Sequence, residues 1–352
     1  MDYYIYEVMQ DKKWMKSAGS KARNDANSIL ESKGFKKLEY CLDDILVKKN
    51  RVTKRIAIEK QWASIFSKLK MGDVVFIQYP LVQMSYLLAT QIKKIKKKGV
   101  KVILLIHDSN ILRESKSEGV SFLKKARMIY GEKNIFFAVD KIICHNDKMK
   151  EELVKLGINN NKIEILQIFD YLMGKKPDVE FEKGKKTVIV AGALYPEKSG
   201  YVYEVPKKIK FNFYGVGYDE NRQKSNNTLY CGAFSPDELP YKLAGNYGLI
   251  WDGPSAESCK GVFGEYLKVN NPHKTSLYLA SGIPVLIWKQ AALAKFVQDN
   301  NCGIVINSLE ELPEVLNNIN SEKYMSIKSS ADKISEKLRK GYYLSSAIDR
   351  CI

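Results

Sequence analysis

Asp73-Val74-Val75-Phe76-Ile77-Gln78, then a helical pattern from Leu81 to Lys98, then Val100-Lys101-Val102-Ile103-Leu104-Leu105-Ile106, decide the fold class. The two apolar runs show no polar alternation, which fits strands buried on both faces, and the stretch between them repeats its apolar residues at helical spacing. That is a βαβ unit, and Val139 to Cys144 extends it. The rhythm breaks between Gln167 and Lys186, where Tyr171-Leu172-Met173-Gly174-Lys175-Lys176-Pro177 and a charged stretch offer no face to bury. It restarts with Thr187 to Ala191, Ile209 to Tyr214, Tyr247 to Trp251, Ile283 to Trp288 and Gly303 to Ile306. The expected fold is α/β, with two Rossmann-like domains and an interdomain cleft at the carboxyl ends of both sheets. Residues 1–170 form the first domain and 171–335 the second. Residues 336–352 are a C-terminal helix, broken at Gly341, that packs back on the first.

Composition agrees. A chain of 352 residues, 45% hydrophobic and 11% aromatic, buries sizeable cores and is neither disordered nor collagen-like. Every apolar run is broken by charge before the roughly 18 residues of a membrane span. The start, Met1-Asp2-Tyr3-Tyr4-Ile5-Tyr6-Glu7, lacks a basic then apolar leader, and the six cysteines are scattered without a CxxC. Both features predict a cytoplasmic protein with reduced thiols. Of the +17 net charge, about +13 falls in residues 1–170. No RNP, helix-turn-helix or zinc-finger pattern accompanies it, so nucleic acid is not the expected partner. The densest run, Lys93-Lys94-Ile95-Lys96-Lys97-Lys98, reads either as a solvated helix end suited to the dipole or as attraction to an anionic membrane surface or a phosphate-bearing acceptor.

Chemistry is concentrated in Gly264 to Leu286, which contains Asn271-Pro272-His273-Lys274 and then Leu279-Ala280-Ser281-Gly282-Ile283-Pro284-Val285. Pro272 suits the first turn of a helix, and Lys274 in that turn stands beside free backbone N–H groups; together they favour a diphosphate. Trp251-Asp252-Gly253-Pro254 ends a buried strand, which places Asp252 at the expected cleft, with Glu265 and Asn271 similarly placed before the helix. His107-Asp108-Ser109 ends the strongest strand: either side chain can take a proton from a bound hydroxyl as general base, or Asp108 caps the next helix and His107 lines the rim. Tyr214-Gly215-Val216-Gly217 borders a nucleotide or is a simple turn. No Asp-Xaa-Asp occurs and the three histidines, His107, His145 and His273, are far apart in sequence, so no metal or other cofactor is expected. The sequence also lacks a GxSxG elbow, a phosphate-binding GxxxxGK[ST] loop and an early GxGxxG, so hydrolase, kinase and dehydrogenase readings have no parts.

The Pro-Xaa-Lys and Leu-Ala-Xaa-Gly-Xaa-Pro-Val pattern resembles the donor-binding part of GT-B glycosyltransferases. Gly248-Leu249-Ile250-Trp251-Asp252-Gly253, Asn271 to Lys274, Ala291 to Val297, Leu105-Ile106-His107-Asp108 and Arg339 to Tyr343 narrow it. They resemble the family joining bacterial galactofuranosyltransferases to the glucosyltransferases that act third on serine-rich adhesins. The resemblance implies transfer of galactofuranose or glucose from a UDP-sugar to a glycan acceptor, lipid-linked or on a glycoprotein. Trp251-Asp252-Gly253 and Asn-Pro-His-Lys stand nearer the galactofuranosyl branch. A non-catalytic nucleotide-sugar binding subunit is the alternative from another class. The resemblance further implies that Lys274 stabilises the donor diphosphate, that Gly192 lets the backbone approach it and that Lys198 adds a second cation. Family members commonly carry Gly-Asn where this chain has Gly192-Ala193. The Gly232 to Leu239 segment reads as a strand end and a helix start capped by Ser235, and the resemblance implies instead that it touches the base through Phe234. Gly19, Ser20 and Lys21, in a loop expected over Ser17 to Asp25, contact acceptor and donor phosphate. Homo-oligomers among the adhesin-type relatives imply self-association.

Overall fold

The computed structural model describes residues 1–8, 18–41, 50–82, 87–114, 122–178, 186–223 and 225–352. The chain divides into two compact units. One spans Arg23–Leu166 with the first strand and Leu344–Ile352; the other spans Gln167–Tyr343 and takes in the start of the first helix as far as Ala22.

The first unit is built on a sheet of β1 (Asp2–Val8), β2 (Lys36–Cys41), β3 (Val74–Tyr79), β4 (Lys101–Ile106), β5 (Lys141–Cys144) and β6 (Ile163–Ile165). Their order is β2-β1-β3-β4-β5-β6 and every pairing is parallel. Between them run α1 (Ala18–Ser32), α2 (Arg51–Ser67), α3 (Leu88–Lys97), α4 (Asn110–Glu114), α5 (Phe122–Ala138) and α6 (Asp147–Lys155). Every residue of β3 is buried, and so is β4 after its first lysine, as expected of strands covered on both faces. The two run in register from Val74 against Lys101 to Tyr79 against Ile106. Helix α3 buries Leu88, Ile92 and Ile95 at i, i+4 and i+7, each contributing about 1.5–3 kcal/mol of transfer free energy. Its last turn carries Lys94, Lys96 and Lys97, and Gly99 at φ 83° ends it. The helical pattern read from Leu81 is seen from Leu88, and positions 83–86 lie outside the described residues. The loop expected over Ser17 to Asp25 is corrected: from Ala18 it is helix, anchored by Ala26, Ile29 and Leu30, and Ser17 lies outside the described residues.

The second unit carries β7 (Thr187–Ala191), β8 (Lys210–Tyr214), β9 (Thr228–Tyr230), β10 (Tyr247–Ile250), β11 (Val285–Trp288) and β12 (Gly303–Ile306). All are parallel, in the order β12-β11-β10-β7-β8-β9. Counted from β7, this is the doubly wound 3-2-1-4-5-6 order, which reverses between β7 and β10. The helices are α7 (Pro196–Ser199), α8 (Gly261–Tyr266), α9 (His273–Ala280), α10 (Ala294–Asp299), α11 (Leu312–Asn317), α12 (Ser321–Arg339) and α13 (Tyr342–Asp349). Gly248 belongs in β10 because the Tyr278 ring of α9 lies where a Cβ would stand. Ser335 of α12 donates to the Ala280 carbonyl at 2.6 Å and ties α12 to the end of α9. Gly341 at φ 74° separates α12 from α13. From Leu344 onward the chain belongs to the first unit: Lys33 pairs with Asp349 at 2.6 Å, and Arg350 donates to the Ile165 carbonyl at 2.7 Å.

Candidate functional site

Because all strands of the second sheet are parallel, the loops after β7, β8, β9 and β10 emerge at one edge. The reversal of strand order between β7 and β10 opens a crevice there. Gly192 follows β7 and Trp251-Asp252-Gly253 follow β10. Gly192 is exposed at φ 139°, with no atom within 4 Å of where a side chain would begin. Behind it, Gly215 at φ 136° packs backbone to backbone, so that a Cβ on Gly215 would overlap the Gly192 carbonyl. The two loops therefore approach each other as bare main chain, and one face of Gly192 stays open.

Lys274 reaches this crevice from the first turn of α9. Its Nζ donates to the Trp251 carbonyl at 2.7 Å and to Asp252 Oδ1 at 2.8 Å, and both side chains are largely buried, 13% and 7% exposed. Pro272 is the N-cap rather than a first-turn residue and offers no side-chain cap, so the opening N–H groups of α9 are not occupied by one. Lys198 enters through α7: the Gly253 N–H donates to the Lys198 carbonyl at 2.6 Å, and the ammonium lies 5.6 Å from the Phe263 ring centre. Backbone and ion pair thus link Lys198, Gly253, Asp252 and Lys274 in series.

The other expected donor and acceptor residues have partners or neighbours within the protein. The Tyr214 hydroxyl accepts the Ala244 N–H at 3.0 Å, and its ring lies 6.4 Å from that of Phe234. Phe234 is half-buried with Lys242 6.0 Å from its ring centre. Glu265 pairs with Lys268 at 2.9 Å, while buried Asn271 donates to the Gln167 carbonyl at 3.0 Å. Ser20 and Lys21 are buried in α1, and Lys21 donates to the Leu172 carbonyl at 2.7 Å with its ammonium 4.9 Å from the Tyr171 ring. Lys21 and Leu172 both belong to the second unit. Gly19 lies with Lys21 in the first turn of α1. His273 stacks on Tyr171 at 5.0 Å between ring centres; burial pushes its imidazole down to about 4, with Lys21 adding in the same sense.

In the first unit His107 and Asp108 follow β4 at the carboxyl edge. His107 Nε2 lies 2.6 Å from Gln78 Oε1, and the Gln78 amide donates to Asn27 at 2.6 Å. Asp108 accepts the Ser109 N–H at 2.9 Å and is ion-paired with Arg113, while α4 is capped by Ser109, whose Oγ accepts the Leu112 N–H at 3.4 Å. At the β1–β3 switch point the Arg23 guanidinium pairs with Glu7 at 3.2 Å. Sequence reading did not pick out Arg23, Glu7, Gln78 or the buried Glu132 on α5, because each acquires its environment from a residue distant in the chain. Among the described residues no group of His, Cys, Asp and Glu is spaced to hold a metal ion, and no helix is long and apolar enough to cross a membrane.

Two parallel six-stranded sheets covered by helices, the second in doubly wound order, are the fold of GT-B glycosyltransferases. The chain belongs to the glucosyltransferase 3-like family. Residues 2–168 match the family's N-terminal domain and 188–351 its C-terminal domain. It is 33% identical over 347 residues to the beta-1,6-galactofuranosyltransferase WbbI of Escherichia coli K12, covering 94% of this chain and 97% of that one. To glucosyltransferase 3 of Streptococcus gordonii it is 26% identical over 330 residues, covering 92% and 90%. Among solved structures, Anabaena HepE in complex with UDP shares the fold at a TM-score of 0.59 and 11% identity, over 99% of this chain and 98% of that one. The lipopolysaccharide outer core galactosyltransferase WaaB does so at 0.60 and 10%, over 100% and 99%. The family and fold expected from the Pro-Xaa-Lys and Trp-Asp-Gly segments are those found, and the protein is a glycosyltransferase.

Proposed function

We propose that the protein transfers a hexose, galactofuranose or glucose, from a UDP-sugar to a glycan hydroxyl in cell-surface polysaccharide synthesis. The observation that supports this most is the meeting of Lys274, the opening N–H groups of α9 and the exposed Gly192 main chain at the β7–β10 switch point. A diphosphate seated there gains two kinds of donor. Lys274 offsets charge developing on the leaving nucleotide, Lys198 adds to it, and no metal is needed. Asp252 holds Lys274 and accepts from a donor hydroxyl, and His107 or Asp108 takes the acceptor proton. The 33% identity to a galactofuranosyltransferase favours galactofuranose over glucose.

The acceptor is a lipid-linked glycan at the inner face of the membrane, which accounts for the concentration of positive charge in the first half of the chain. Failure to co-sediment with anionic vesicles at low salt would count against it and favour a glycosylated adhesin. Self-association follows from the family alone and is read by sedimentation.

Calorimetry against UDP, GDP and CMP, then UDP-glucose, UDP-galactopyranose and UDP-galactofuranose, tests the donor. Binding of UDP alone among the three nucleotides, followed by transfer that persists in EDTA, is the expected result. No response to any nucleotide would sink the reading.

A further inference from the structure

The turn that carries His107 and Asp108 is held from behind by a carboxyl group. Glu132 of α5 is 1% exposed. Ser109 Oγ donates to its Oε1 at 2.5 Å and the Asn110 N–H donates to its Oε2 at 3.1 Å. The Tyr79 hydroxyl, at the end of β3, bonds to the same carboxyl group. A buried carboxylate is unfavourable unless its oxygens are well bonded, and an amide in its place would avoid the charge altogether. Glutamine, however, offers only one acceptor oxygen, and its NH2 cannot accept the Asn110 N–H. Two acceptor oxygens are what this turn uses.

We infer that Glu132 is a positioning residue for the transfer step: by accepting from both Ser109 and Asn110 it fixes the His107–Asn110 turn, and with it the aim of the Asp108 carboxylate and the His107 ring. This rests on the reading in which that turn takes the acceptor proton. The Asp108 carboxylate is set from its other side by Arg113, and His107 by Gln78, so the turn is clamped between two sets of partners. Burial pushes the Glu132 carboxyl group up to about 7; Asp108 acts in the same sense, while bonds from Ser109, Ile111 and Asn110 oppose it. The charged and titratable groups around it are Asp108, Tyr79 and, beyond Asp108, Arg113 and His145. As pH falls below about 7 the carboxyl group protonates, one acceptor oxygen becomes a donor, and the grip on the turn loosens.

The test is Glu132→Gln in the full chain, with Ser109→Ala as a second variant that leaves the carboxyl group in place. Glu132→Gln should melt no lower than wild type at pH 8, bind UDP unchanged, and lose about ten- to a hundredfold in kcat. That loss should shrink below pH 7, where the wild type is itself protonated. Ser109→Ala should lose kcat in the same direction but by less. Wild-type kcat and pH profile in Glu132→Gln would overturn the inference, as would a kcat loss that only tracks lost folding or lost UDP binding. Absence of transfer by the wild type would instead overturn the functional reading beneath it, so the two failures are distinct.

Discussion

Lys274 and Asp252, 22 positions apart in sequence, form one buried ion pair at 2.8 Å, so the cation expected to meet the donor diphosphate is already neutralised by a carboxylate. Removing one member of such a pair leaves the other buried and uncompensated, at a cost of about 3 kcal/mol. Lys274→Ala therefore lowers stability as well as UDP binding, and a thermal-shift screen with that variant alone confuses the two. The double variant Lys274→Ala with Asp252→Asn is expected to recover much of the melting temperature but none of the UDP affinity. A double variant that melts as low as Lys274→Ala would deny that the pair, rather than the lysine's packing, holds this edge together.

The two glycines at the neighbouring loops separate folding from binding in the same way. Gly215→Ala drives a methyl group into the Gly192 carbonyl and is expected to destabilise the fold by several kcal/mol, on the order of 3. Gly192→Ala meets no atom, so its stability cost is the backbone strain at φ 139° alone, about 1–3 kcal/mol. Its methyl group occupies space that the proposed diphosphate approaches. Calorimetry should therefore show weakened UDP binding in folded Gly192→Ala; unchanged affinity would place the nucleotide elsewhere.

Acid sensitivity follows from His273. Its pKa is depressed in the folded state, so the unfolded chain takes up the proton first, and stability falls as pH drops from about 6.5 to about 4. At about 1.4 kcal/mol per pH unit, this amounts to about 3 kcal/mol over that range. His145, buried and also lowered to about 4, acts in the same direction. Glu132 acts oppositely: raised to about 7, its contribution is fully present below the unfolded value and is lost as pH rises through 7. His273→Phe keeps a ring against Tyr171. Denaturant titrations between pH 7 and 4 should show a shallower stability loss for it than for the wild type; parallel curves would exclude His273 as a source.

What could be read from the chain and what could not divide along a physical line. Val74–Tyr79 and Lys101–Ile106 announce themselves because a strand covered on both faces must be apolar throughout. Lys36–Cys41 alternates between exposed and buried residues, and Ile163–Ile165 and Thr228–Tyr230 have three residues each. All three are edge strands whose pairing partner supplies what their sequences lack. Ala18-Gly19-Ser20 reads as loop on propensity, yet the helix forms because Ala26, Ile29 and Leu30 bury one face further on. The place of Lys274 in the first turn of a helix was legible from Pro272. Its bond to Asp252 was not, since nothing local to either residue encodes a contact 22 positions away. Glu132 has the same history: an acidic residue in a helix is ordinary until Ser109 and Asn110 are folded against it.

Tyr278 offers the most direct link from core packing to the proposed donor loop. Its hydroxyl accepts the Ala191 N–H at 2.6 Å, at the last residue of β7 and immediately before Gly192, while its ring fills the place of a side chain at Gly248. Tyr278→Phe keeps the ring and leaves the Ala191 N–H buried without an acceptor, which costs about 1–3 kcal/mol. The strain falls at the root of the Gly192 loop, not in the sheet interior, so the loop is the part free to move in search of another acceptor. Faster amide exchange at Ala191 and Gly192 and weaker UDP binding are therefore expected, with protection in β10 and β11 unchanged. Uniform loss of protection across the sheet would instead make Tyr278 a core residue with no separate hold on the loop.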